Sequence, residues 1–357
     1  MLKKNRILTL VVALVLCMGL LSGCGMNGAT GSGSTGTKGK KSVVCTIFPE
    51  YDWAKEVVGD LGDHYELTLL LDNGVDLHSY QPTAMDIAKI ASCDVFIYVG
   101  GESDGWVEDA LKESTNPNMQ VINLLEVLGD SVKEEEIVEG MEAEEEEHDH
   151  GEDNGQTEST DVKENEKETD AHDQEVEEVE YDEHVWLSLK NAKVLTGAIT
   201  DAFKTIDADH TDQLQANCDS YVKKLTDLDE QYKSAVAAGS KNTILFGDRF
   251  PFRYMVDDYK LNYYAAFVGC SAETEASFTT VVFLAGKVDE LGLSNVMVIE
   301  NSDQKIAQTV INNTANKNQS IQVLNSMQST TSKDIKAGTT YLSIMESNLE
   351  VLKNALK

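Results

Sequence analysis

Two histidines set in loops are the residues whose type and placement point to chemistry. His78 stands in Asp76-Leu77-His78-Ser79-Tyr80-Gln81-Pro82-Thr83. That stretch falls between a strand-like run, Glu66–Leu71, and a helix expected to start near Pro82, since proline suits a first helical turn. His184 stands in Asp182-Glu183-His184-Val185-Trp186-Leu187, at the head of a helix-like run to Ile206. Neutral imidazole is a common ligand for divalent transition metals, and the carboxylates beside the two rings, Asp76 and Glu183, are suited to orient them. Metal capture is the chemistry these residues can do.

The tract between the two histidines strengthens that reading. Residues 131–183 hold 25 Asp/Glu against three Lys, so −22 of the formal charge of −33 falls there. Roughly 140–178 has almost no apolar residues to offset ordering entropy and is expected to be disordered. Its His148, His150 and His172, set among carboxylates, form an auxiliary metal-gathering arm. A chain this acidic, without a basic patch, repels phosphate backbones, and nucleic-acid binding is excluded on that ground. The competing enzyme class is a zinc-dependent hydrolase, which needs a general base and an open coordination position. No HExxH occurs in the 357 residues.

The elements that must position the histidines alternate between strand and helix. Short apolar runs at 42–48, 67–71, 95–99 and 120–125 read as buried strands, with helical spacing between them. From Asp209 to Ala238 the apolar positions Leu214, Cys218, Tyr221, Leu225, Leu228, Tyr232 and Val236 recur at threes and fours, predicting one long amphipathic helix. A second series of strands follows at 243–246, 261–267, 295–299 and 321–324, with helices over 278–291, 304–313 and 341–356. The expected fold is α/β: two lobes, each a mainly parallel sheet with flanking helices, joined by the long helix, with a metal cleft between them. The divisions are an N-terminal lobe over 42–190, connecting helices over 191–240 and a C-terminal lobe over 241–357.

Residues 1–23 read as a lipoprotein signal peptide. Lys3, Lys4 and Arg6 precede an apolar run that is too short to span a bilayer and ends in Leu21-Ser22-Gly23-Cys24. Cys24 is then the lipidated residue and 24–41 a flexible Gly/Ser/Thr tether, which places the chain on the outer face of the cell membrane. Of the remaining cysteines, Cys45 and Cys93 sit in apolar runs and read as small buried residues; Cys218 and Cys270 complete the set. No CxxC occurs, so spacing predicts neither a thiolate zinc site nor a disulfide pairing.

Taken together, the lipobox at Cys24, the Asp76-x-His78-x-Tyr80-x-Pro82 loop, the Glu183-His184-Val185-Trp186 segment, the acidic insert, the long helix and the ending from Tyr341 carry a resemblance. The chain resembles the solute-binding lipoproteins of zinc and manganese ABC transporters. The resemblance implies a monomeric receptor that captures one divalent ion, Zn2+ ahead of Mn2+, and delivers it to a membrane permease. A secondary adhesin role is a further class open to an exported lipoprotein. Four side chains hold the metal in such receptors, and His78 and His184 match the first two. The third ligand is His or Glu in a loop that here reads Phe246-Gly247-Asp248-Arg249-Phe250-Pro251. Asp248 is its anionic candidate, although an ungapped match of Phe252 and Tyr254 falls nearer Arg249. The fourth, commonly Asp, corresponds to Asn325, with Glu300 as the alternative carboxylate. Gly247 is expected to give the Asp248 loop backbone angles that other residues resist.

Overall fold

The computed structural model describes residues 39–142, 180–271 and 275–357. Four strands make the first sheet: β1 (Lys41–Cys45), β2 (Tyr65–Leu69), β3 (Val95–Tyr98) and β4 (Gln120–Asn123). They run parallel in the order β2-β1-β3-β4. In such a sheet the loops at the strands' C-terminal ends converge near the point where the order reverses, beside β1. The loops after β2 and β3 carry His78 and Ser103.

The first strand ends earlier than its apolar run suggests, because Pro49 opens a helix rather than closing a strand. The helix Phe48–Val58 has Pro in its first turn, and Glu50 reaches back to accept from the Thr46 and Ile47 amides at 2.8 and 3.3 Å. The Ile47 amide is among the donors that a helix start leaves unpaired, whereas the Thr46 amide also donates to Ile97 O at 3.1 Å. Similarly, the apolar run at 120–125 is a strand only to Asn123. The Asn123 side chain then accepts from Glu126 N–H and starts the helix Leu124–Leu128.

The second half is assembled from parallel pairs. β5 (Thr243–Leu245) pairs with β7 (Asn262–Tyr264), and β9 (Asn295–Val298) with β10 (Ser320–Val323). A bridge from Phe246 to Met297 joins the two pairs. The expected strand over 261–267 is split. After β7 the chain turns at Ala265–Ala266, and Ala266 N–H donates to Asp248 O at 3.1 Å. The two-residue strand β8 (Phe267–Val268) then pairs with β6 (Arg249–Phe250). Neither short strand has enough residues to leave a periodic signal in the sequence.

The long helix spans Thr211–Ala238 and buries Leu214, Cys218, Tyr221, Leu225, Leu228 and Tyr232, the face its spacing predicts. It packs against the helices Phe48–Val58, Leu189–Ile206 and Tyr341–Ala355. The described residues from Lys40 to Lys357 form one compact unit, and one buried cluster runs from Val43 through Tyr221 to Leu356, so both sheets share a core. A smaller cluster around Phe267, Leu284 and Val298 belongs to the second half alone. Among the described residues no helix is long and apolar enough to cross a membrane.

The acidic insert is rooted in this body. Residues 140–142, expected to be disordered, are part of the fold: Glu142 N–H donates to Ala266 O at 3.0 Å, and Met141 packs against the core. On the other side an antiparallel bridge joins Glu134 to Tyr181. Cys24, His148, His150 and His172 lie outside the described residues.

Candidate metal centre

His78 sits in a single tight turn, Leu77–Ser79. Asp76 caps it by accepting from His78 N–H at 3.1 Å, and buried Leu77 anchors it. The His78 Nδ1 lies 2.7 Å from Ser103 Oγ and 3.4 Å from Glu183 Oε2. Ser103 N–H donates to the other Glu183 oxygen at 2.9 Å. Burial alone would raise the Glu183 carboxyl, but hydrogen bonds from His78 and Ser103 outweigh it and hold the group below its usual range. Burial likewise disfavours charge on His78, and Glu183 and Asp76 more than compensate, raising its pKa.

His184 is fully buried, in the turn that precedes the helix Leu189–Ile206. Its own N–H donates to Asp182 Oδ1 at 2.8 Å, and its Nδ1 lies 3.1 Å from the same oxygen. A carboxylate accepts only, so Nδ1 carries the proton and Nε2 presents a lone pair. The orienting carboxylates are therefore crossed. Glu183, next to His184 in sequence, holds His78, while Asp182 holds His184.

The two Nε2 atoms face each other at 3.2 Å, with ring centroids 5.1 Å apart. A third group joins them. One ring nitrogen of each histidine and the Cys270 Sγ all lie within 4.8 Å of one another, the one such His/Cys/Asp/Glu group among the described residues. Cys270 follows β8 directly, at the end of Phe267-Val268-Gly269. Burial, then the Asp182 and Glu135 carboxylates, push its thiol pKa far up, so the thiol is protonated until a cation displaces the proton. Beside the group opens a cavity of about 300 Å³ lined by His78, Ser103, Glu135, Glu183 and Cys270 among others.

The remaining candidates are placed elsewhere. Asp248 spends its carboxylate on the backbone, accepting from Arg249 N–H at 2.9 Å and Ile299 N–H at 3.3 Å. Asn325 Oδ1 accepts from Met327 N–H at 2.8 Å in a turn. Glu300 staples that turn by accepting from the Ser326 and Gln328 amides at 2.6 and 3.0 Å. Asn325 and Glu300 line a cavity of their own, and Asp248 a third, neither of which includes His78, His184 or Cys270. Arg249 lies nearer the histidine loop, pairing with Asp76 and with Gln328 Oε1 at 3.1 Å. Gly247 does not have a positive φ; its missing Cβ instead admits the Ala307 backbone, which a Cβ would meet at 2.5 Å. Sequence reasoning missed Cys270, since a lone cysteine has no spacing partner. All four described cysteines are free.

The model of the family described as zinc-uptake complex component A, periplasmic (ZnuA) matches residues 43–355. The chain belongs to that family. Its ZnuA-family relatives include the zinc-binding lipoprotein AdcA of Streptococcus pneumoniae, 30% identical over 315 residues, 88% of this chain and 56% of that protein. The chain thus spans about half the length of the streptococcal relatives it matches. The high-affinity zinc uptake system protein ZnuA of Bacillus subtilis is 29% identical over 341 residues, 95% of each chain. Among solved structures, the Zn(II)-bound ZnuA-like domain of S. pneumoniae AdcA is similar with a TM-score of 0.64 and 26% identity, covering 89% of this chain and 99% of that one. The ZnuA family is a metal-binding component of uptake systems, and the hydrolase alternative finds no support in it.

Proposed function

We propose that this chain is the extracytoplasmic receptor of a zinc-uptake ABC system, capturing Zn2+ between His78 and His184 as a monomer and delivering it to a membrane permease. Lipid on Cys24 holds it to the outer face of the membrane. The observation that carries the reading is the convergence of the two Nε2 atoms at 3.2 Å. Two nitrogens bound to one tetrahedral Zn2+ at about 2.05 Å stand about 3.3 Å apart. At this separation a proton on His78 Nε2 bridges to the lone pair of His184 Nε2, and a cation that takes the place of that proton gains two bonds. The relatives' names, zinc-binding lipoprotein and zinc uptake protein, support the same cargo and the same surroundings.

Calorimetric titration of the metal-stripped protein with Zn2+ tests this. His78→Ala and His184→Ala are expected to lose the tight site. His64→Ala, at an exposed position whose ring lies beside that of His210, is expected to keep it. Equal losses in all three variants would remove the assignment.

A further inference from the structure

The geometry points to Cys270 as the third donor to the captured ion, its thiolate making the centre select thiophilic cations over hard ones. The inference rests on the capture reading above and adds to it the chemistry of the site. Its basis is that three separate parts of the chain bring donors together: the loop after β2, the turn before Leu189 and the loop after β8. In the loop after β5, Arg249, a cation that no metal tolerates as a ligand, is the side chain that reaches the histidine loop by pairing with Asp76, while Asp248 turns its carboxylate to backbone amides. The site is then short of a donor in that loop, and the thiol arrives from the next one.

The Cys270 loop is built for close approach. Pairing of β8 with β6 fixes its start, and Cys270 N–H donates to a Glu135 carboxylate oxygen at 3.2 Å. Gly269 lies close against the imidazole of His184; a Cβ there would stand 3.0 Å from His184 Cε1 and 3.0 Å from Phe250 O. With Zn–S near 2.3 Å and Zn–N near 2.05 Å, a tetrahedral ion spaces sulfur and nitrogen about 3.6 Å apart. The donors, within 4.8 Å of one another, stand within about 1.2 Å of that spacing. The cavity beside His78 and Cys270 gives water or an exchanging ligand access to the donors. Two imidazoles and a thiolate suit Zn2+, Cd2+ and Co2+, whereas Mn2+ favours oxygen donors.

The test is a titration of the reduced, metal-stripped protein with Co2+ alone, followed by competition among Zn2+, Cd2+ and Mn2+. The native protein is expected to develop the near-ultraviolet sulfur-to-cobalt charge-transfer band. Cys270→Ser is expected to lack that band and to bind Zn2+ at least about tenfold more weakly, with its preference for Zn2+ over Mn2+ reduced by a similar factor. A native Co2+ complex without the band, still abolished by His78→Ala, would overturn the thiolate while leaving zinc capture in place. Failure of the native protein to bind either Co2+ or Zn2+ would overturn both. The band is read on native protein, so misfolding of the Cys270→Ser variant cannot imitate either outcome.

Discussion

At the scale of residues, the site depends on groups that hold imidazoles still. Glu183 reaches His78 only because Gly101 stands aside: with φ +82°, it occupies a region that side chains resist, and a Cβ there would stand 2.3 Å from Glu183 Oε1. Gly101→Ala is expected to cost about 1–2 kcal/mol of stability from the backbone angle alone. By displacing Glu183 it should also weaken Zn2+ binding on the order of 10–100-fold, the usual consequence of losing a histidine's orienting partner. Thermal melts and zinc titration read the two effects separately, and a variant with unchanged affinity would mean that Glu183 does not orient His78. The histidines were legible in the sequence because each heads a helix-like run beside a carboxylate. Their partnering was not: adjacency suggested Glu183 for His184, and the fold crosses the pair. Cys270 was illegible because its neighbours in the site are 192 and 86 residues away along the chain.

At the scale of elements, long periodic stretches were legible and short ones were not. The helix Thr211–Ala238 buries the face that its spacing predicted, since six apolar positions on one stripe leave little choice. The pair β6 and β8 has two residues a side, and only the surrounding fold makes them strands. That pair nonetheless brings Cys270 to the centre. The acidic insert tests how far cleft and arm are independent. Its roots are ordered, with Glu135 N–H donating to Glu180 O at 3.0 Å and Asp182 N–H to Lys133 O at 2.9 Å. Replacing residues 143–179 by a Gly/Ser link long enough to leave both stems in place is expected to retain one tight Zn2+ site. Only weaker, additional binding should be lost, because the cleft donors sit on packed elements. Stoichiometry in a zinc titration measures this; loss of the tight site would make His148, His150 or His172 a primary ligand.

At the scale of the whole molecule, burial of carboxylates couples stability to pH. Glu50 is fully buried beneath the first sheet's loops, and burial, then the neighbouring Asp104 carboxylate, raise its pKa to about 8 against the amides it accepts from. Burial also raises Asp52 to about 6, against its hydrogen bond from Tyr341 N–H. The unfolded chain releases both protons near the ordinary carboxylate value, while the folded chain keeps them to higher pH. The folded state therefore holds more protons across that window, and its stability falls as pH rises. The contribution is fully present below about pH 4 and is lost progressively until pH passes about 8. For Glu50 alone the slope approaches about 1.4 kcal/mol per pH unit between its unfolded and folded values. Glu50→Gln keeps an acceptor for the Thr46 and Ile47 amides and carries no titrating proton. Denaturant melts of the metal-free protein from pH 5 to pH 9 should give a steeper decline for the native chain than for Glu50→Gln, with the two curves diverging most above pH 6. Parallel curves would mean that Glu50 is ionised in the folded protein throughout, its charge held by the helix N-terminus that it caps.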